Sequence, residues 1–273
     1  MIPRSNTDEK PGKFQSRRAG RLPLWEKRVV LEEFLTYNGV QLRVLTEQRR
    51  AQNEMAEHMA IRSLNVGKPT EVEHQGKTVR TGIFKKPVTD ARYLSTVNFA
   101  GDEQADLRFH GGPDKAVCVY PFERYAYWEE KLGITLDLGA FGENITTEGM
   151  LEEEIRIGDR FHLGEAVVQV SQPRQPCFKV GVKHGIPELP LQIQQTGYTG
   201  YYFRVLREGE VRPEDRLELI ERHPAGVTLA FANRVMHLDK EDAEGIRRVL
   251  AVEELSDSWR ETLSARLSRL AGE

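Results

Sequence analysis

The stretch Glu165-Ala166-Val167-Val168-Gln169-Val170, followed at once by Ser171-Gln172-Pro173-Arg174-Gln175-Pro176-Cys177, decides how this chain reads. The first six residues are β-branched and partly alternating, which is a strand signal. Pro173 and Pro176 then end ladder pairing and stiffen the backbone. A guanidinium and a thiol, Arg174 and Cys177, are left three residues apart at the rim of a sheet. A thiol is a good nucleophile or soft-metal ligand as its thiolate, and a nearby cation favours that form. A buried cysteine beside a surface arginine in an ordinary loop has the same local sequence, so the case rests on the surroundings.

Working outward, residues 59 to about 223 read as short strands separated by Gly, Pro and Asp. The strands are expected at Ala60–Val66, Gly82–Lys85, Ala116–Tyr120, Ile155–Leu163, Glu165–Ser171, Tyr201–Arg207 and Arg216–Glu221. One helix is expected over Pro121–Gly133, with Pro near its start and Gly at its end. A second helical region is expected over Val182–Gln195. Many short strands with few helices predict a mostly β (α+β) fold with a partly closed barrel. After Pro224 three helical segments follow, Val227–His237, Lys240–Leu250 and Ser256–Leu270, with Asp239 and Ser256 as expected N-caps. Leu255, Trp259, Leu263, Leu267 and Leu270 make an apolar stripe at helical spacing. The expected organisation is an extension over residues 1–58, partly disordered, a barrel domain over 59–223 and a small three-helix domain over 224–273.

Composition narrows the function classes. The chain has 273 residues, 39% hydrophobic and 30% charged, with a net charge of −3. That balance fits a globular protein and points to neither nucleic acid nor a membrane surface. The charge is uneven: residues 1–58 carry 11 Lys+Arg against 8 Asp+Glu, and the rest 28 against 34. The C-terminal helices hold no concentrated basic recognition helix, which argues against DNA binding. Two cysteines, Cys118 and Cys177, make no disulfide framework and cannot hold a four-thiolate cluster. A reducing cytoplasm is the expected location. Cys118, between Val117 and Val119, reads as a packed core thiol.

Three segments carry chemistry. Gly101-Asp102-Glu103-Gln104 leads to His110-Gly111-Gly112-Pro113-Asp114-Lys115, where paired glycines allow backbone N–H groups to approach an anion. Phe141-Gly142-Glu143-Asn144 again sets glycine beside polar side chains, and Ser171–Cys177 is the third. Together they offer a thiol, an imidazole, Arg174, Lys115, Asn144 and flexible amides. This set suits an anionic, oxygen-rich ligand with a soft-metal contact. Gly-x-Ser-x-Gly, P-loop and dinucleotide fingerprints are absent from the sequence. A Cys177–His110 cysteine hydrolase is a formal alternative.

These blocks, in this order, resemble the MOSC domain family, named for the C-terminal domain of molybdenum cofactor sulfurase. The order and spacing are similar to the bacterial YiiM-type branch, and the helices after Pro224 resemble that branch's C-terminal three-helix domain. The resemblance covers about residues 59–270. It implies a β-rich fold that binds the molybdenum cofactor, a pterin dithiolene with a terminal phosphate. Cys177 matches the motif cysteine, which implies a molybdenum ligand or a sulfur carrier. Members of this branch reduce N-hydroxylated compounds such as 6-hydroxylaminopurine. On that reading Arg174 and Lys115 bind phosphate or other anionic oxygens, supported by main-chain amides of Gly111, Gly112 and Gly142. His110 relays a proton or fixes the loop. Asn144, Asp102 and Gln104 bind the pterin or order the loop, and Ser171 belongs to the same cofactor-binding set. Electrons then come from a separate protein such as a flavin reductase. The alternative of another class is a module that carries cofactor or sulfur without turnover. A third is a structural barrel with a reactive cysteine. The chain is too short to add the pyridoxal-phosphate domain of the sulfurases.

Overall fold

The structure is a computed structural model and describes residues 59–107 and 110–272. The extension expected over residues 1–58 lies outside the described residues. Twelve strands are described, of which eight form one sheet. They are β1 (Ala60–Val66), β2 (Thr70–His74), β3 (Lys77–Thr81), β4 (Lys86–Pro87), β5 (Arg92–Leu94), β6 (Val117–Pro121), β7 (Ile145–Glu148), β8 (Arg160–Leu163), β9 (Ala166–Pro173), β10 (Tyr201–Arg207), β11 (Gly209–Val211) and β12 (Leu217–Glu221). The main sheet runs β12-β8-β9-β10-β6-β7-β1-β4. A single bridge between Ala60 and Arg216 brings the β1 side back to the start of β12. The barrel is therefore partly closed, as the short-strand pattern predicts.

Among the described residues β6 and β7 are the one parallel pair, with Val119 opposite Ile145. A parallel pair needs a crossover, and helix α1 (Glu123–Leu132) supplies it. Gly133 ends α1 in the left-handed region at φ 65°, and its N–H returns to Glu129 O. The helical region expected over 182–195 is two helices, α2 (Phe178–His184) and α3 (Leu189–Thr196). Gly185 at φ 69° stops the first, and Pro187 lies in the link between them.

Other departures have local causes. The hairpin β2–β3 is absent from the expected strands, because its side chains are mostly exposed, with Val72 and Val79 only half-buried, and leave no apolar alternation; Gln75 and Gly76 turn it at φ 50° and 73°. Residues 82–85 form no strand, since Ile83 N donates to Thr81 Oγ1 and Lys85 turns inward to Asp102. Of the strand expected over 155–163, the first part is a turn around Gly158, at φ 90°, and Asp159.

Helices α4 (Leu229–His237), α5 (Ala243–Leu250) and α6 (Asp257–Ala271) close the chain. Thr228, Asp242 and Ser256 cap them by accepting N–H bonds from Phe231, Gly245 and Trp259. The expected cap Asp239 instead pairs with Arg234 at 3.2 Å. Leu255, Trp259 and Leu263 of the apolar stripe are buried, while Leu270 is exposed. Their partners include Val168, Val170, Leu229 and Val235, so one hydrophobic core runs from the sheet into the helices. A second cluster, built on Tyr120, Trp128, Phe141 and Val180, packs α1 and α2 outside the barrel.

Candidate functional site

The site lies where β6, β9 and β10 run side by side. Tyr202 sits opposite Gln172 on β9 and opposite Cys118 on β6, which puts these three side chains on one face of the sheet. Their neighbours Val117, Val119, Val170, Tyr201 and Phe203 face the barrel core. The β9–β10 register then skips: Tyr202 pairs Gln172 while Phe203 pairs Val170, so Ser171 is a bulge residue. A bulge bends the strand and re-aims the residues beyond it. Pairing does not stop at Pro173, as the prolines suggest; it reaches Arg174, whose N–H donates to Gly200 O at 2.9 Å. Cys177 follows as the residue before α2, in extended conformation, its side chain making no capping bond.

The resulting pocket encloses about 80 Å³ and is walled by Lys85, Lys115, Arg174 and Lys179, with Cys118, Cys177, His110 and Tyr202. Among the described residues neither Arg174 nor Lys179 forms an ion pair with a carboxylate. Burial disfavours the charge of Arg174, yet Cys118, Tyr202, Cys177 and Glu143 around it more than offset this, and its pKa stands above the usual guanidinium value. The Tyr202 phenol is pushed up by burial and by Cys118, and the Arg174 guanidinium opposes this. Burial lowers the Lys115 ammonium, against Asp114. A concave site lined by several cations, with glycine amides beside them, is chemically suited to an anion.

The floor is fixed by polar groups that are already bonded. Asp102 accepts from Gly67 N at 2.9 Å, from Asn144 Nδ2 at 2.9 Å and from Lys85 Nζ. Asn144 Oδ1 accepts from Cys118 N at 3.1 Å, tying the floor to β6. Buried Glu143 accepts from Gly139 N, Phe141 N and Thr146 Oγ1, and from the Tyr125 hydroxyl. Gly142 is required between them: φ is 79°, and a Cβ there would stand 2.6 Å from Ile83 Cγ1. The Phe141–Asn144 block is thus a folded clasp that presents its glycine to the pocket.

His110 and the two thiols are tuned by this field. Burial first, then Lys179, Arg174 and Lys115, lower the His110 imidazole to about 4. It is therefore neutral at pH 7 and offers one ring N–H and one lone pair, whereas its ordinary value lies near neutral. Burial pushes the Cys118 thiol up, and Arg174 opposes that. Cys118 belongs to neither hydrophobic cluster. Although buried, it faces the pocket, a correction to its reading as a packed core thiol; strand alternation between Val117 and Val119 is the reason.

Of the residues singled out in the sequence, Cys177, His110, Arg174, Lys115, Gly111, Gly142, Asn144 and Gln104 line the pocket. Asp102 lies beneath it, fully engaged. Gly112 (φ 82°) and Ser171 lie outside the lining. Ser171 Oγ is 2.6 Å from Asp114 O and 3.2 Å from Tyr202 O, so its hydroxyl holds the Pro113–Lys115 turn. Sequence reasoning missed Lys85, Lys179 and Tyr202. Each sits in a stretch without a motif; the one available signal for Lys179 is its place two residues after Cys177.

Comparison with known proteins agrees with this architecture. The MOSC domain model matches residues 106–218, and the YiiM-like 3-alpha helix domain model matches residues 227–270. The protein YflK of Bacillus subtilis is 52% identical over 214 residues, covering 78% of this chain and 97% of YflK. A Gibberella moniliformis protein named Reductase is 34% identical over 151 residues, covering 54% of this chain and 27% of that protein. The crystal structure of YiiM from Geobacillus stearothermophilus superposes with a TM-score of 0.66 at 41% identity, covering 77% of this chain and 99% of that one. With these matches over both the sheet and the C-terminal helices, the chain belongs to the MOSC family, in its YiiM-like branch with the three-helix domain.

Proposed function

We propose that the pocket holds the molybdenum cofactor, with Cys177 as the thiolate ligand of the metal, and that the protein reduces N-hydroxylated compounds such as 6-hydroxylaminopurine. The observation that carries this reading is a cationic pocket in which Arg174 and Lys179 have no carboxylate partner among the described residues, with a partly exposed thiol at its rim. Among the described residues no cluster of three His, Cys, Asp or Glu side chains stands ready to bind a bare metal ion. A metal that arrives already held by a dithiolene needs one further soft ligand, and Cys177 fits that need. The terminal phosphate of such a cofactor fits Arg174, Lys115 and Lys179, helped by amides at Gly111 and Gly142.

The bound cofactor supplies acceptance of the hydroxyl oxygen and two electrons, for the net change R–NHOH + 2 e⁻ + 2 H⁺ → R–NH₂ + H₂O. The chain's own residues bind and orient. Arg174, rigid at the end of β9, fixes the anionic end, and Asp102 with Asn144 keeps the floor in place. Neutral His110 can accept a hydrogen bond from the substrate N–OH or donate one to the leaving oxygen, as a positioning group rather than a charged acid. The electrons come from a separate donor protein, of flavin reductase type, and the protein works in the cytoplasm. No described helix is long and apolar enough to cross a membrane.

The test is molybdenum and pterin content of protein purified from hosts with and without cofactor synthesis, wild type beside Cys177→Ala, followed by reduction of 6-hydroxylaminopurine with a chemical electron donor. Stoichiometric molybdenum and turnover in wild type, both lost in a folded Cys177→Ala protein, are the expected result. Cofactor without turnover favours the carrier alternative. A well-folded wild type free of molybdenum in the replete host defeats the proposal.

A further inference from the structure

Asp114 directly precedes the pocket residue Lys115 and does not itself line the pocket. Its two carboxylate oxygens are divided between two elements. Oδ1 accepts from Arg204 of β10, from Nε at 3.0 Å and from Nη2 at 2.6 Å. Oδ2 accepts from the N–H of Asp257, the first residue of α6, at 3.1 Å. Arg204 is held in turn, because its Nη1 donates to Gln169 Oε1 on β9 at 3.2 Å. The Asp114 and Arg204 side chains are 25% and 19% exposed, so water and salt screen this pair less than a surface pair.

The first N–H groups of a helix have no partner inside it, and negative charge is favoured there. In α6 the Ser256 side chain takes the N–H of Trp259, and Asp114 takes that of Asp257. Ser256 N donates to Ser171 O at 3.1 Å. α6 therefore starts on both segments that carry pocket cations, the turn before Lys115 and the bulge before Arg174. That turn follows Gly111 and Gly112, at φ 114° and 82°, a backbone that other residues rarely adopt. Within it Lys115 N donates to Gly112 O at 3.0 Å. Asp114 also favours the charged form of Lys115, against the larger effect of burial.

We propose that Asp114 is a positioning residue for Lys115, and that the three-helix segment acts on the pocket through it. Arg204 and the start of α6 clamp one aspartate, and the clamp fixes the Pro113–Lys115 turn so that Lys115 meets an anionic ligand. This role rests on the anion-binding reading of the pocket given above. It carries a sign that a bystander charge does not share. As a charge alone, Asp114 repels an anion, and its removal strengthens binding. As a clamp, its removal weakens binding. By linkage, an anion held by Lys115 steadies the start of α6 in return.

The experiment takes full-length protein from a host without cofactor synthesis and titrates it with inorganic phosphate by calorimetry at pH 6, far below the ordinary lysine value of about 10.4. Wild type is compared with Asp114→Asn, Lys115→Met, the double variant and Ser256→Ala, with thermal unfolding as the check on folding. Amide hydrogen exchange is followed at Lys115 and Asp257. Phosphate binding is expected to weaken about threefold or more in Asp114→Asn, and by less than about twofold when the same change is added to Lys115→Met. Ser256→Ala, which alters no charge, should weaken phosphate binding and speed exchange at Lys115. Phosphate should slow exchange at Asp257 in wild type and not in Asp114→Asn. Tighter or unchanged binding by Asp114→Asn, or an equal loss with and without Lys115, overturns the assignment. If Asp114→Asn does not fold, Ser256→Ala decides, and unchanged exchange at Lys115 overturns the clamp. A wild type that binds no phosphate defeats the anion reading of the pocket, and exchange at Lys115 in Ser256→Ala then decides the clamp by itself.

Discussion

Asn144 donates from Nδ2 to Asp102 Oδ2 at 2.9 Å, with both side chains buried. That bond joins two motif blocks 42 residues apart in sequence into one floor. On its other oxygen Asp102 holds the buried ammonium of Lys85, which itself lines the pocket. Asp102 is therefore a positioning residue, whose anion keeps one wall cation in place.

Removing Asp102 strands Lys85 in a buried position. Breaking a buried pair from one side costs about 3–5 kcal/mol, so Asp102→Ala is expected to lower the unfolding free energy by about that much in urea titration. The double change Lys85→Met with Asp102→Leu should recover only part of it: no charge is then left unpaired, but the Gly67 and Asn144 donors still lose their acceptor. Equal stabilities of Asp102→Ala and wild type would show that the pair does not form.

His110 gives a pH dependence with a definite sign. Its folded value is about 4, against 6.5 for an ordinary histidine. Between those values the unfolded chain binds the proton and the folded chain does not, so stability falls as pH drops from about 6.5 towards 4. His237, also lowered to about 4 by burial with Lys240 and Arg266, acts in the same window. His110→Asn should lessen the loss, and His110→Asn with His237→Asn should lessen it further. In NMR titration of the cofactor-free protein, the His110 signal should move near pH 4, and inorganic phosphate should raise its midpoint. A midpoint that stays at 6.5 contradicts the crowded cation field.

The two thiols differ in access. Cys118 is 7% exposed and its thiol is raised by burial, whereas Cys177 is partly exposed. Iodoacetamide at pH 8 is expected to modify Cys177 in the native cofactor-free protein and both cysteines after denaturation, read by peptide mass spectrometry. Native modification of Cys118 at a comparable rate would place it nearer solvent than the structure does.

At Gly142 the backbone is left-handed and the space is filled. A residue with Cβ pays about 1–2 kcal/mol for that conformation, and contact with Ile83 Cγ1 at 2.6 Å adds to it. Gly142→Ala should lower the melting temperature by several degrees and weaken phosphate binding as the clasp shifts. Gly76→Ala, at the open tip of the β2–β3 hairpin, has nothing within 4 Å of its added Cβ and isolates the conformational cost.

Much of this protein is legible in one dimension. β10 was read with its observed ends, the cap of α6 at Ser256 follows from a hydroxyl before a periodic apolar run, and Gly133 marks the end of α1, because each depends on nearest neighbours along the chain. The pocket members Cys177, Arg174, His110 and Lys115 were legible because glycine, proline and reactive side chains cluster around them. Tertiary structure decided the rest. Lys85 and Lys179 are ordinary surface residue types until folding buries one against Asp102 and turns the other towards His110. Cys118 faces the pocket because β6 presents alternate residues to opposite sides, and which side is the barrel core depends on strands far away in sequence. Ser171 and Asp102, which look like ligand groups, are spent on the framework. Local residue chemistry names the groups capable of reaction; long-range pairing, burial and the field of neighbouring charges determine which of them meet.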